Sequence, residues 1–210
     1  MSLRLWLVRH AESTWNAAGR IQGQADPPLS AQGRVQARSV ALRLGAVEFQ
    51  ALYASPLQRA EQTAQAIAET TGLEVLLDTR LQEQGVGEAS GLNWDGILVR
   101  WPQLKELSLR GESLMPHIPG AERMPDFEAR VGAVFGEVRA KYQEGDVALV
   151  SHGGVFHTYL RKLMHVEDGY HSGLSFGNTS LSQVEFAADG HVSIKFVNDR
   201  HHLRDGYSKV

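Results

Sequence analysis

The chain contains no cysteine. Disulfides, thiolate nucleophiles and thiolate metal ligands are therefore excluded, and nothing in the composition asks for an oxidising compartment. No apolar run approaches the ~20 residues that a membrane-spanning helix needs, so a membrane is not an expected partner. The apolar stretch ahead of Arg9 is too short for the hydrophobic core of a secretion signal, which makes the cytoplasm the expected location. Charge of one sign is not concentrated anywhere: 21 Lys and Arg stand against 24 Asp and Glu, a formal net charge of −3. Without a basic patch, nucleic acid is not an expected partner either. There is no internal repeat and no low-complexity tract.

What is present reads as one core. A length of 210 residues with 42% apolar content suffices for it, so residues 1–210 are taken as a single domain. Residues 3–16 organise the rest. Leu3, Leu5 and Leu7 alternate with Trp6 and Val8, a short continuous apolar run of the kind that a strand buried on both faces shows. Arg9 and His10 follow at the strand's end, where ligands bind in open α/β sheets. A Gly- and Pro-rich loop leads to a helix capped by Ser30 and stopped by Gly45. Residues 49–54 form a strand. Ser55-Pro56 reads as an N-cap and first helical residue, and that helix runs to Gly72. Residues 75–77 form a third strand.

Residues 85–125 break the pattern. They carry Trp94, Trp101, Leu104 and Ile118 without clean periodicity, and read as a lid-like excursion in which Trp94 and Trp101 belong to a small core. Asp126 is the expected start of a long amphipathic helix. The apolar run 146–151 is another buried strand, and His152-Gly153-Gly154 follows it directly. Two late strands flank the turn signal Asp189-Gly190, and the last dozen residues are polar. The fold class expected is α/β: a three-layer sandwich with a mostly parallel central sheet, helices on both faces and an inserted lid.

Four boundaries carry ionisable groups: Arg9-His10, Arg59, Glu83 and His152. Two arginines and two histidines at one end of a sheet make a cationic pocket. The planar guanidinium fork suits phosphate. Helix starts near Ser55 and Gly154 would add free N–H groups. A neutral imidazole flanked by arginines can attack phosphorus, and a carboxylic acid can protonate the leaving oxygen. The remaining histidines (117, 157, 165, 171, 191, 201 and 202) match no ligand spacing, so no metal and no cofactor is expected.

These blocks resemble the histidine phosphatase superfamily, also called phosphoglycerate-mutase-like. Leu7-Val8-Arg9-His10-Ala11-Glu12-Ser13 with Asn16 is similar to its nucleophile motif, and Arg20-Ile21-Gln22-Gly23 to its substrate loop. The run from Ser55 through Arg59 to Ala64 resembles its second phosphate-binding block. Leu81-Gln82-Glu83 with Gly87 resembles its acid loop, and Val150-Ser151-His152-Gly153-Gly154 its second-histidine motif. Asn178-Thr179-Ser180 resembles a later landmark. Two positions depart: Ala11 stands where the family usually has Gly, and Ser90 where a Glu often sits.

The resemblance implies that His10 is the phosphorylated nucleophile and Glu83 the proton donor. Arg9, Arg59 and His152 would complete the phosphate pocket, with Asn16, Gln22, Gly23 and Gly153 lining it. It implies a phosphomonoesterase of the histidine acid phosphatase type, hydrolysing small phosphorylated metabolites through a phosphohistidine. The alternative is a cofactor-dependent phosphoglycerate mutase. Against it, the family's mutases usually carry Arg and Tyr behind the acid and Thr-Gly-Trp in the substrate loop, where this chain has Gln84-Gly85 and Gln22-Gly23-Gln24. A non-catalytic scaffold on the same fold is the third reading, and retention of the ionisable set speaks against it. The expected partner is a small phosphate ester; a homodimer stays open.

Overall fold

In a computed structural model describing residues 2–110, 112–166 and 173–203, the first strand, β1 (Ser2–Arg9), lies inside a six-stranded sheet. The other strands are β2 (Phe49–Ala54), β3 (Val75–Leu77), β4 (Gly145–Ser151), β5 (Leu181–Ala187) and β6 (Val192–Asp199), in the order β3-β2-β4-β1-β5-β6. β4 pairs in parallel with both β1 and β2, and β2 with β3. Only β5 runs against the rest, between β1 and β6. The fold is mixed α/β with a mostly parallel sheet.

The alternation in β1 feeds two cores. Leu3, Leu5 and Leu7 pack on one face against Phe127, Val131 and Phe135 of α6 (Met124–Lys141) and Phe156 of α7 (Gly153–Leu163). Trp6 and Val8 pack on the other against Val40 and Leu44 of α2 (Ala31–Leu44) and Ala64 and Ile67 of α3 (Gln58–Thr71). Each fully buried Leu of this kind contributes about 1.5–3 kcal/mol. The short helix α1 (Thr14–Ala17) follows β1. Ser30 caps α2 by accepting from Gly33 N at 2.9 Å, as its sequence position predicts.

Between β3 and α6 the chain leaves the sheet. It forms α4 (Trp94–Arg100), α5 (Lys105–Leu109) and several 3₁₀ turns around a separate cluster of Val86, Ala89, Ile97, Leu104, Leu114 and Ile118. The excursion closes at its root, where Glu122 N donates to Gly85 O at 2.8 Å.

Three local expectations are corrected. Helix α3 begins at Gln58, with Leu57 at its N-cap, and Ser55 stands ahead of it, its hydroxyl shared between Leu57 N and His152. Helix α6 begins at Met124, with Pro125 in its first turn and Asp126 ion-paired to Arg123. Trp94 is largely exposed at the start of α4, and Ile97 supplies that helix's buried position, so only Trp101 joins the small core. His171 and residues 204–210 of the polar tail lie outside the described residues.

Candidate active site

Strand register brings the two histidines together. Arg9 lies level with Ser151 across the β1–β4 pair. The next residue of each strand is His10 and His152, whose rings stand 5.1 Å apart. Parallel strands end at the same edge of the sheet, so residues over 140 positions apart arrive side by side. Ser55 follows β2, the other neighbour of β4, and its Oγ lies 2.8 Å from His152 Nε2.

His10 is 3% exposed and His152 fully buried. The Nδ1–H of His10 donates to the Ala11 carbonyl at 2.7 Å. A ring nitrogen facing a carbonyl oxygen must carry the proton, which leaves Nε2 with its lone pair. Ser55 Oγ thus joins His152 Nε2 to the start of α3, since it also accepts from Leu57 N at 3.3 Å. His152 Nδ1 is buried with no partner among the described residues.

Two guanidiniums flank the rings. Arg59, 1% exposed on the first turn of α3, donates to the carbonyls of Gly23 and Ala25, both at 2.7 Å. Gly23 holds φ +51, a backbone setting that costs glycine little and that turns its carbonyl to this task. Arg9 donates to the Phe176 carbonyl. Among the described residues, Arg59 and Arg9 thus commit few of their five donors each, and both Nε atoms are buried without a partner. Buried donors in surplus of acceptors suit an oxyanion.

The charges act on the rings as that crowding requires. Burial pushes His10 well below the ordinary histidine range, and Arg9 and Arg59 push it further; the Ala11 carbonyl opposes them. Burial does the same to His152, reinforced by Arg59, His10 and Arg9. Both imidazoles are neutral at neutral pH. Burial lowers Arg59 to about 10, with Glu83 opposing. Arg9 is lowered by burial too, again opposed by Glu83. Both arginines keep their charge at pH 7.

Glu83 sits on the loop after β3. Its Oε1 accepts from Gln84 N at 2.9 Å and its Oε2 from Gly154 N, the second residue of α7, at 3.1 Å. The loop is tied to the sheet by Ser151 Oγ, which donates to Leu81 O at 2.7 Å. Gly153, singled out in the sequence, lies beside Arg9 Nε instead.

The other residues expected to line the pocket are held by hydrogen bonds near the end of β1. Asn16 Oδ1 accepts from Ser13 N in the capping box of α1, and lies 3.3 Å from Asn178 Nδ2. Asn178 Nδ2 also donates to His10 O at 3.1 Å. Gln22 Oε1 accepts from Ser13 Oγ at 2.7 Å. Ser90, the departure from the family pattern, is exposed and donates to Gln22 O at 3.3 Å. Ala11 is fully buried, and its N–H donates to Thr63 Oγ1 at 3.0 Å.

Sequence reasoning passed over Ser55 as a ring partner, and gave Thr63 no role of its own within the block from Ser55 to Ala64. Thr63 stands four residues after Arg59, one helical turn on the same face, and its hydroxyl also donates to Arg59 O at 2.6 Å. That i, i+4 spacing was a usable signal. Among the described residues, no cluster of three or more His, Asp or Glu is arranged to hold a metal ion, and no helix is long and apolar enough to cross a membrane.

A sequence profile of the histidine phosphatase superfamily (branch 1) matches residues 5–200. The chain belongs to that superfamily. As a histidine phosphatase superfamily member it has relatives of more than one activity. It is 32% identical over 184 residues to a probable phosphoglycerate mutase, GpmB, of Escherichia coli, covering 88% of this chain and 85% of the relative. A mycobacterial glucosyl-3-phosphoglycerate phosphatase, solved with vanadate (VO3), is 31% identical with a TM-score of 0.83, covering 94% of this chain and 99% of that one. A phosphoserine phosphatase of Entamoeba histolytica, solved with 3-phosphoglyceric acid, is 28% identical with a TM-score of 0.82, covering 96% and 99%. Phosphatase neighbours of this kind support a phosphatase.

Proposed function

We propose that this chain is a phosphomonoesterase of the histidine acid phosphatase type, hydrolysing small phosphorylated metabolites through a phosphohistidine at His10. One observation carries the reading: His10 gives its Nδ1 proton to the Ala11 carbonyl, so the nitrogen left for phosphorus is the unprotonated Nε2, flanked by two buried guanidiniums. Nε2 attacks the phosphoryl group and the ester P–O bond breaks. Glu83 gives its proton to the departing alkoxide, which leaves as the alcohol. Water then attacks the phosphohistidine, Glu83 takes a proton back, and inorganic phosphate leaves with His10 restored.

Arg9, Arg59 and His152 bear on the oxygens whose charge grows in transfer. Asn16, Gln22, Gly23 and Gly153 shape the wall around them. The cationic side chains themselves neutralise the phosphoryl group, so no metal is invoked. The names of the relatives suggest where to look for a substrate: phosphoserine and the phosphoglycerates are phosphate esters of three-carbon acids.

The second reading, a cofactor-dependent mutase, is favoured by the name of the E. coli relative. Phosphate release from a panel of phosphorylated metabolites, compared by kcat/KM, separates the two. Hydrolysis of phosphoserine or a phosphoglycerate supports the phosphatase. Interconversion of 2- and 3-phosphoglycerate without phosphate release would overturn it.

A further inference from the structure

Arg130, one turn into the buried stripe of α6, touches none of the residues that the sequence brings to the site except through their backbone. Its side chain is 18% exposed and its guanidinium stands 4.7 Å from the Phe127 ring. All five of its N–H donors are engaged. Nη1 donates to Arg80 O at 2.8 Å and Gln82 O at 2.6 Å, and Nη2 to Glu83 O at 2.9 Å. Nε and Nη2 form a fork onto Glu122, at 2.7 and 2.8 Å. Glu122 in turn accepts from Gly85 N at 2.9 Å. A guanidinium saturated in its own plane is a rigid template, and no other side chain has five donors in that geometry.

The template therefore holds the backbone on both sides of Glu83: the carbonyls of residues 80, 82 and 83 directly, and the N–H of Gly85 through Glu122. Glu122 is the returning root of the lid-like excursion. We propose that the Arg130–Glu122 pair is a positioning unit for proton transfer by Glu83, orienting its carboxyl against the leaving oxygen and tying that orientation to the root of the excursion. This rests on the reading of Glu83 as proton donor. Proton transfer demands hydrogen-bond reach, and a displacement of about 1 Å can cost on the order of 10²-fold.

Leaving-group dependence tests it, because a merely structural role would lower all rates alike. In Arg130→Lys and Glu122→Gln, kcat/KM for an alkyl phosphate such as glycerol phosphate should fall about 10–100-fold further than kcat/KM for p-nitrophenyl phosphate, whose phenolate leaves without a proton. The two losses should be non-additive in the double variant, since both break one fork. Glu83→Gln is measured alongside. If Glu83→Gln is selective for the alkyl ester while both clamp variants lose equally on the two substrates, the positioning role is overturned and the acid stands. If Glu83→Gln itself loses equally on both, the acid reading fails and the proposal falls with it. Should Arg130→Lys fold poorly, Glu122→Gln carries the same comparison with the cation in place.

Discussion

Glu83 and Gly154 are packed so closely that a side chain on the glycine would displace the carboxylate. Oε2 accepts from Gly154 N at 3.1 Å, and a Cβ built on Gly154 would lie 2.2 Å from Oε1. The clashing atom is the free end of a flexible side chain, so the fold can yield cheaply while the carboxyl cannot stay put. Gly154→Ala should therefore lose about 10²-fold in kcat/KM on alkyl phosphates with a melting temperature near that of the wild type. Activity close to wild type would show that the carboxyl is not needed where it now sits.

The bond from His10 Nδ1–H to the Ala11 carbonyl leaves Nε2 with its lone pair. We expect His10→Ala to abolish turnover, and rapidly quenched wild-type enzyme to carry an acid-labile phosphoryl group at residue 10. Mass spectrometry that finds the label on His152 instead would reverse the roles of the two histidines.

Arg59 spans two carbonyls, of Gly23 and Ala25, while keeping donors for an anion. A lysine ammonium retains the charge and loses the fork. Arg59→Lys should lose about 10²-fold or more in kcat/KM, the usual cost of a donor aimed at developing charge. Wild-type kinetics in this variant would remove Arg59 from the phosphoryl contact.

The neutral histidines carry a stability consequence. Burial lowers the pKa of both His10 and His152 in the folded state. The unfolded chain therefore binds more protons once the pH drops below the ordinary histidine value of about 6.5. Stability from this source is complete above that value and falls as pH falls, by up to about 1.4 kcal/mol per pH unit for each ring. Urea unfolding between pH 7.5 and 5.5 should show the decline, and His152→Gln should make it shallower. An unchanged slope in that variant would mean that His152 is not held neutral by the fold.

How much of this was legible beforehand follows from the range of each interaction. The two-sided burial of β1, the extents of β2 and β3, the Ser30 cap and the cationic set at the strand ends are all written in short windows. Side-chain period, cap chemistry and strand-end position are properties of neighbouring residues. The role of Ser55 was only half legible: its bond to Leu57 N is local, but its hydroxyl also meets His152, 97 residues away in sequence. Arg130 left no local trace, because a lone cation on an amphipathic helix looks the same whether it faces solvent or three carbonyls.

The sequence by itself determined which residue types meet at the edge of the sheet, since the strands and their polar ends are local features and parallel strands align those ends. The tertiary structure alone decided which nitrogen of His10 carries the proton, which glycine leaves room for Glu83, and which cation holds the acid loop. Those are set by the β1–β4 register and by the packing of α6 and α7 against the sheet, where hydrogen bonds join groups that no window of sequence contains together.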